Sequence, residues 1–421
     1  MLDIKRIVEN KEEVRKALLK RGLEVDFDLL INLYNDRRQI LVEVEELKSI
    51  KNKLTKEVGI LKRKKESADH LIKEMTNNNE KIDDLEKKQK DLAIKINDFL
   101  IELPNTPDDD VVSGGKEFNE VIRTYKEKPE FTFESKDHVT LINQLGLVDF
   151  ERGTKLGGFG YWIYKGIGAR LEWALINYFI DFHLKNGYEF LLPPHILNEE
   201  CGYTAGQFPK FKDDVFKVLD GGFLLPTAET AIINYHRDEI LNINDLPKKY
   251  FSYTPCYRKE AGSHRAEERG TVRGHQFNKV EMFVYTTKED SEKMLEELVL
   301  NAEKLVQGLN LHYQVSKLAA EDVSAGMAKT YDVEIWIPSM KEYKEVSSVS
   351  NARDYQTRRG MIRYKTKEGK IEYAHALNGS GLATSRLLPA LIEQNQNEDG
   401  SITIPEVLRP YLGGISKITV S

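Results

Sequence analysis

No run of about 18 apolar residues occurs in the 421-residue sequence, so a membrane-spanning helix is not expected. Cysteine is nearly absent. Cys201 and Cys256 are the whole complement, far apart and in no metal-ligand spacing. A disulfide scaffold and a structural zinc site are therefore disfavoured, and a reducing, cytoplasmic compartment is expected. The first ten residues, Met-Leu-Asp-Ile-Lys-Arg-Ile-Val-Glu-Asn, lack the apolar core of a signal peptide. A strong charge of one sign is missing too. Lysine and arginine number 62 against 68 aspartates and glutamates, a net −6, so any nucleic-acid contact has to come from local patches. Phosphate-binding glycine loops are likewise missing: Ser113-Gly114-Gly115-Lys116 lacks the spacing and the following helix of a P-loop. Gly157-Gly158-Phe159-Gly160 is a poor dinucleotide fingerprint, and both stretches read as turns.

What is present is an ordinary globular balance, 31% charged and 40% hydrophobic, on a chain long enough for two or three domains. Ile4, Ile7, Val8, Val14 and Leu18 predict a short helix ending at Gly22. Leu33, Ile40, Leu47, Leu54 and Leu61 then recur every seven residues, with Leu30, Val44 and Val58 in the second register. After a break around Glu66–His70, a second stripe runs through Leu71, Leu85, Leu92 and Phe99 beside Met75, Ile82, Ile96 and Leu103. Two heptad arrays with a polar break between them predict an antiparallel coiled-coil arm over about 27–103, stopped by Pro104 and Pro107. Its distal half is basic. Lys48, Lys51, Lys53, Lys56, Lys62, Arg63, Lys64 and Lys65 face only Glu57 and Glu66. That composition suits a contact to a phosphate backbone, and equally a solvated coiled-coil exterior.

The expected organisation is an N-terminal helical domain over 1–104, a Pro-, Asp- and Gly-rich linker over 105–135, and a second domain over 136–421. In the last, an amphipathic helix over 168–186 runs into Tyr188–Pro194, and short strands alternate with helices without a regular βαβ rhythm. This predicts an α+β fold on a mostly antiparallel sheet.

Four stretches carry chemistry. Between Cys256 and Tyr285 two strand-like segments flank a polar loop, with Arg258, Lys259 and Glu260 at its start and Phe277 and Glu281 beyond it. Arginine suits a bidentate grip on phosphate or carboxylate, although an ordinary charged hairpin would read the same way. Thr227-Ala228-Glu229 stands where a strand gives way to a helix. Lys344-Glu345-Val346-Ser347-Ser348-Val349-Ser350-Asn351 is a strand dense in oxygen ligands. Leu377-Asn378-Gly379-Ser380-Gly381-Leu382-Ala383-Thr384-Ser385-Arg386 leads into a helix, with glycines that admit close backbone approach.

Together these stretches resemble the class II aminoacyl-tRNA synthetases. The 168–194 segment is similar to their motif 1, Arg258–Glu281 to motif 2 and Gly379–Arg386 to motif 3. Thr-Ala-Glu, Glu-Val-Ser-Ser, Asn-Gly-Ser-Gly-Leu-Ala and the helical arm resemble the seryl-tRNA synthetase family within that class, in order along essentially the whole chain. Neither class I signature occurs.

The resemblance implies activation of L-serine by ATP with Mg²⁺, then transfer to the 3′ end of tRNA(Ser), with tRNA(Sec) a further candidate acceptor. Arg258 and Arg386 would be the catalytic arginines. Thr227, Ala228, Glu229, Arg258, Glu281, Asn378 and Ser380 would hold serine. Arg258, Lys259, Glu260, Phe277, Glu345, Val346, Ser347, Ser348 and Arg386 would hold ATP, with Glu345 and Ser348 as Mg²⁺ ligands. A homodimer is implied, with the basic arm on the long variable arm of the tRNA. The sequence departs from the family in the motif 2 loop, where Ala266 stands at the family's loop arginine beside Arg265, and Gly274 replaces a valine. Two other readings fit part of this pattern: a ligase loading an amino acid onto a carrier protein, and a non-catalytic RNA-binding paralogue.

Overall fold

In a computed structural model the structure describes residues 1–260 and 270–420. The family departures at Arg265 and Ala266 lie outside the described residues. None of the described helices is long and apolar enough to cross a membrane. The chain forms two compact units. One comprises Leu2–Lys16 and Glu24–Leu103, the other Met1, Ala17–Leu23 and Pro104–Ser421.

The expected single N-terminal helix is two, α1 (Ile4–Glu9) and α2 (Lys11–Leu19). Asp3 caps the first by accepting from the Lys5 amide, and Asn10 interrupts the helix between them. The arm is a hairpin of α3 (Asp28–Lys64) and α4 (Asp69–Glu102). Lys65, in the left-handed region at φ 60°, closes α3 by donating its amide to the last turn. Leu30, Val44 and Leu54 are buried against Leu71, Ile82, Ile96 and Leu100, while Leu33, Ile40, Leu47 and Leu61 are only partly covered. Each seam of a two-helix hairpin is walled on one side alone. The seven-residue step after Leu71 falls on Asn78, which is buried and donates Nδ2 to the Leu47 carbonyl at 2.9 Å. A buried asparagine on such a seam fixes register at some cost in stability.

The larger unit is built on an eight-stranded sheet: β1 (Glu120–Tyr125), β2 (Glu189–Leu191), β3 (Lys248–Tyr257), β4 (Gln276–Thr286), β5 (Tyr313–Lys317), β6 (Lys329–Ile337), β7 (Glu342–Arg353) and β8 (His375–Ala383). Their spatial order is β1-β5-β6-β7-β8-β4-β3-β2. Every neighbouring pair is antiparallel except β2 with β3. Residues 105–135, expected as a linker, supply the edge strand β1, where Glu120–Tyr125 pairs antiparallel with Tyr313–Lys317.

Helices α5 (Ile167–Lys185), α6 (Glu229–Ile232), α7 (Ser291–Gly308), α8 (Tyr355–Arg359) and α9 (Thr384–Gln394) complete the frame used below. Leu171, Leu175 and Phe179 of α5, Leu295, Leu298 and Val299 of α7 and Leu387, Leu388 and Leu391 of α9 are fully buried with Met282, Val284, Val333 and Val349 of the sheet. Burying one such side chain contributes roughly 1.5–3 kcal/mol, so this one apolar body fixes the sheet's position under the motifs.

Candidate active site

Strand alternation explains most of the site. On β4, Phe277, Lys279 and Glu281 share one face, and on the neighbouring strand Ser380 lies directly opposite Glu281. The four side chains Thr227, Lys279, Glu281 and Ser380 are joined in a buried chain of contacts. Lys279 Nζ donates to Thr227 Oγ1 at 2.8 Å and pairs with Glu281 Oε2 at 2.5 Å, and Ser380 Oγ donates to the same carboxylate at 3.5 Å. Asn378 is buried on the same strand as Ser380, two residues earlier.

Glu229 begins the short α6 and accepts Gln356 Nε2, from α8, at 2.7 Å. Burial pushes its carboxyl up to about 7, Glu281 adds to the rise, and Gln356, Lys279 and Arg258 oppose it. Ala228 is buried in an apolar cluster with Ile232 and Tyr285. It positions its neighbours through packing.

Arg258 follows β3. Its amide donates to the His275 carbonyl at 2.9 Å, its Nε to the Pro226 carbonyl at 3.3 Å, and its guanidinium lies 5.3 Å from the centre of the Phe277 ring. Thr227, Glu229, Arg258 and Glu260 line one cleft with Gln207, Arg273 and Ser324. Glu260 is held by Arg273, at 2.7 Å from Nε and 2.5 Å from Nη2. Lys259 turns elsewhere. Its Nζ donates to the Asp213 carbonyl at 3.0 Å and its amide to that of Asp214 at 3.2 Å, which ties the start of the motif to the 213–214 segment.

A second cleft, which shares Ser324 with the first, is lined by Glu345, Ser348 and Arg386 together with Asp332 and Glu334. Period two would send Glu345 and Ser348 to opposite faces of β7. A β-bulge prevents this: Glu334 and Val333 of β6 pair with Glu345 and Ser347, leaving Val346 as the extra residue. Both side chains therefore reach one cleft. The bulge also accounts for their neighbours, since Val346 sits in the main core and Ser347 donates Oγ to the Ser380 carbonyl at 2.5 Å. Arg386, in the first turn of α9, donates Nη1 to the Glu345 carbonyl at 3.1 Å and to its Oε2 at 3.3 Å. Asp332 has Oδ1 buried without a hydrogen-bond partner. Burial, Glu345 and Glu334 hold its carboxyl well above the usual range, against a hydrogen bond from Ser348.

The donor set bears on Mg²⁺. No cluster of three His, Cys, Asp or Glu side chains able to hold a metal occurs among the described residues. Mg²⁺ commonly keeps waters and takes one or two carboxylates plus substrate phosphates, and Glu345 with Ser348 fits that pattern.

Sequence reasoning passed over four residues. Lys279 was visible from alternation between Phe277 and Glu281. Arg273, Gln356 and Glu172 carry no local signal, because each acts across the fold. Glu172 on α5 accepts Asn278 Nδ2 at 2.8 Å and Thr384 Oγ1 at 2.5 Å, joining the residue after Phe277 to the helix start that bears Arg386. The glycines of the Asn378–Ala383 stretch admit protein. A Cβ on Gly381 would stand 2.3 Å from His183 Nε2, and one on Gly379 would meet Val349 at 3.0 Å.

Comparison with known proteins shows the family. Residues 217–395 match the model of the tRNA synthetase class II core domain (G, H, P, S and T), and residues 1–107 match that of the seryl-tRNA synthetase N-terminal domain. The chain is 60% identical to a serine–tRNA ligase 2 of Clostridium acetobutylicum, covering 98% of this chain and 99% of that protein. The crystal structure of seryl-tRNA synthetase from Pyrococcus horikoshii complexed with ATP superposes with a TM-score of 0.92 at 34% identity, over 100% of both chains. The cytoplasmic serine–tRNA ligase of Naegleria fowleri in complex with AMP gives 0.89 at 29% identity, over 100% of this chain and 99% of that one. The chain belongs to the seryl-tRNA synthetase family and is an aminoacyl-tRNA ligase of class II.

Proposed function

We propose that the two clefts sharing Ser324 are the adenylation site of a serine–tRNA ligase, with serine in the Thr227–Glu281 region and ATP between Arg258 and Arg386. Thr227, Glu229 and Glu281 take the serine ammonium, and Ser380 with Glu281 takes its hydroxyl. A site that hydrogen-bonds a substrate hydroxyl rejects the analogue lacking it strongly, so alanine is excluded. Phe277 lies against the adenine ring, and Glu260, oriented by Arg273, accepts from its amino group.

The serine carboxylate oxygen attacks the ATP α-phosphorus. The bond to the β-phosphate oxygen breaks, pyrophosphate leaves, and seryl-adenylate forms. Two polyanions must meet for this, and Arg258 on the α-phosphate and serine carboxylate with Arg386 on the γ-phosphate supplies the opposing charge. Glu345 and Ser348 would hold Mg²⁺, which would supply further neutralisation of phosphate charge. No protein nucleophile is required. In the second step the terminal ribose hydroxyl of the tRNA attacks the seryl carbonyl and AMP leaves.

The arm takes the long variable arm of tRNA(Ser) through Lys51, Lys53, Lys56, Lys62, Arg63, Lys64 and Lys65, all of which are at least partly exposed. Lys48 is engaged with Glu86 at 2.6 Å, an exposed pair of small energetic consequence. The enzyme works as a homodimer in the cytoplasm, and the selenocysteine tRNA, which shares a long variable arm, is a second acceptor.

The observation that carries this reading is the bulge at Val346, which delivers Glu345 and Ser348 to the cleft of Arg386. The test is charging of total tRNA with labelled serine at increasing salt. Serine should accumulate on tRNA(Ser), with KM for tRNA rising steeply with salt. Adenylate formation without any charged tRNA would support the carrier-protein alternative and contradict this proposal.

A further inference from the structure

The proposed serine pocket contains a cation that the chemistry of adenylation does not call for. Lys279 has a side chain only 7% exposed, and its ammonium stands between Thr227 Oγ1 at 2.8 Å and Glu281 Oε2 at 2.5 Å, with the carboxylate 3% exposed. A lysine that deep is costly unless paired. It also sits among the groups proposed to receive the substrate's own ammonium. Glu229 lies near enough for Lys279 to favour its ionised form.

Counting charges gives the lysine a purpose. Burial leaves Glu229 only partly ionised near neutral pH, but a bound ammonium favours its charged form, so with serine in place Glu229 and Glu281 present two negative charges to one ammonium, the serine carboxylate being held by Arg258. With Lys279 the local sum is one negative charge, which one ammonium completes. The substrate's β-position is then faced by a neutral hydroxyl and a carboxylate already neutralised, so a second cation there is repelled.

We propose that Lys279 is a specificity-determining residue: the fixed counter-ion of Glu281 that leaves the pocket room for a single ammonium and requires an uncharged β-substituent. This rests on the reading of Thr227, Glu229 and Glu281 as the serine pocket.

The test uses pyrophosphate exchange by the full chain and its variants, with serine and with L-2,3-diaminopropanoate, in which an ammonium replaces the hydroxyl. Glu281→Gln with Lys279 intact removes the net negative charge and should lower kcat/KM for serine. If neither Glu281→Gln nor Glu229→Gln changes the serine dependence, the pocket assignment itself fails, and the inference with it. In Lys279→Gln the ratio of kcat/KM for diaminopropanoate to that for serine should rise about ten-fold or more at pH 6.5, with KM for ATP little changed.

Lys279→Gln alone leaves Glu281 buried without its partner and can unfold the chain. The double variant Glu281→Gln/Lys279→Gln removes both charges and restores the sum set by Glu229. It should recover about ten-fold of the serine kcat/KM lost in Glu281→Gln. Additive losses, or recovery of thermal stability without recovery of kcat/KM, would show a purely structural ion pair and overturn the proposal. So would an unchanged selectivity ratio in a folded Lys279→Gln.

Discussion

At the scale of single residues, the site is a set of charges whose orientations are fixed by their contacts. Arg258 is the clearest case, because its amide, its Nε and its ring contact with Phe277 all fix one orientation. Arg258→Ala should reduce serine-dependent pyrophosphate exchange to background, a loss on the order of 10³-fold or more for a charge acting on the transition state. Exchange within a few-fold of the parent would refute the role.

Glu172 makes a different prediction. Burial raises its carboxyl from an ordinary 4.5 to about 7, against hydrogen bonds from Thr384, Asn278 and Tyr164. The folded chain thus keeps a proton that the unfolded chain has released. Its contribution is fully present below pH 4.5 and is lost as pH rises through 7, by up to about 3 kcal/mol. Glu172→Gln cannot ionise, so its melting temperature relative to the parent should climb between pH 5 and pH 8. A difference that stays flat across that range would show that Glu172 is not protonated in the fold.

At the scale of elements, much was legible because it depends on periodicity. The heptads of 30–103 gave both arm helices and the break between them. The amphipathic run from Gly168 gave α5, and the strand formers from Phe277 to Tyr285 gave β4. The rest depends on pairing between distant strands. No local pattern reveals that Val346 bulges against β6, although that residue decides where Glu345 and Ser348 point. Nor does the sequence of 105–135, rich in turn formers, disclose that its middle completes the sheet as β1, since an edge strand needs only one partner. The close approach that the glycines at 379 and 381 predict is there, and the groups that approach are Val349 and His183.

The arm as an element carries its own prediction. Deleting residues 36–100 should leave serine-dependent exchange near the parental rate while cutting aminoacylation by about 10²-fold or more, through loss of phosphate contacts. An equal fall in both activities would count against the arm as the tRNA-binding element.

At the scale of the whole molecule, the two family models fall on different parts of the chain: the seryl-tRNA synthetase N-terminal domain on the coiled-coil hairpin with its basic end, and the class II core on most of the large sheet. The class II motifs were legible because each keeps its chemistry within a few residues. Gln356 and Arg273 were not, because their partners lie elsewhere in the chain; Lys279, whose face alternation does show, was missed because a lysine on a strand usually faces solvent.

The measurement that bears most directly on the account is exchange of labelled pyrophosphate into ATP, with each of the twenty amino acids in turn. Serine alone should support rapid exchange, with alanine and threonine lower by at least about 10²-fold. No exchange with serine, or equal exchange with alanine, would contradict the assignment of these clefts.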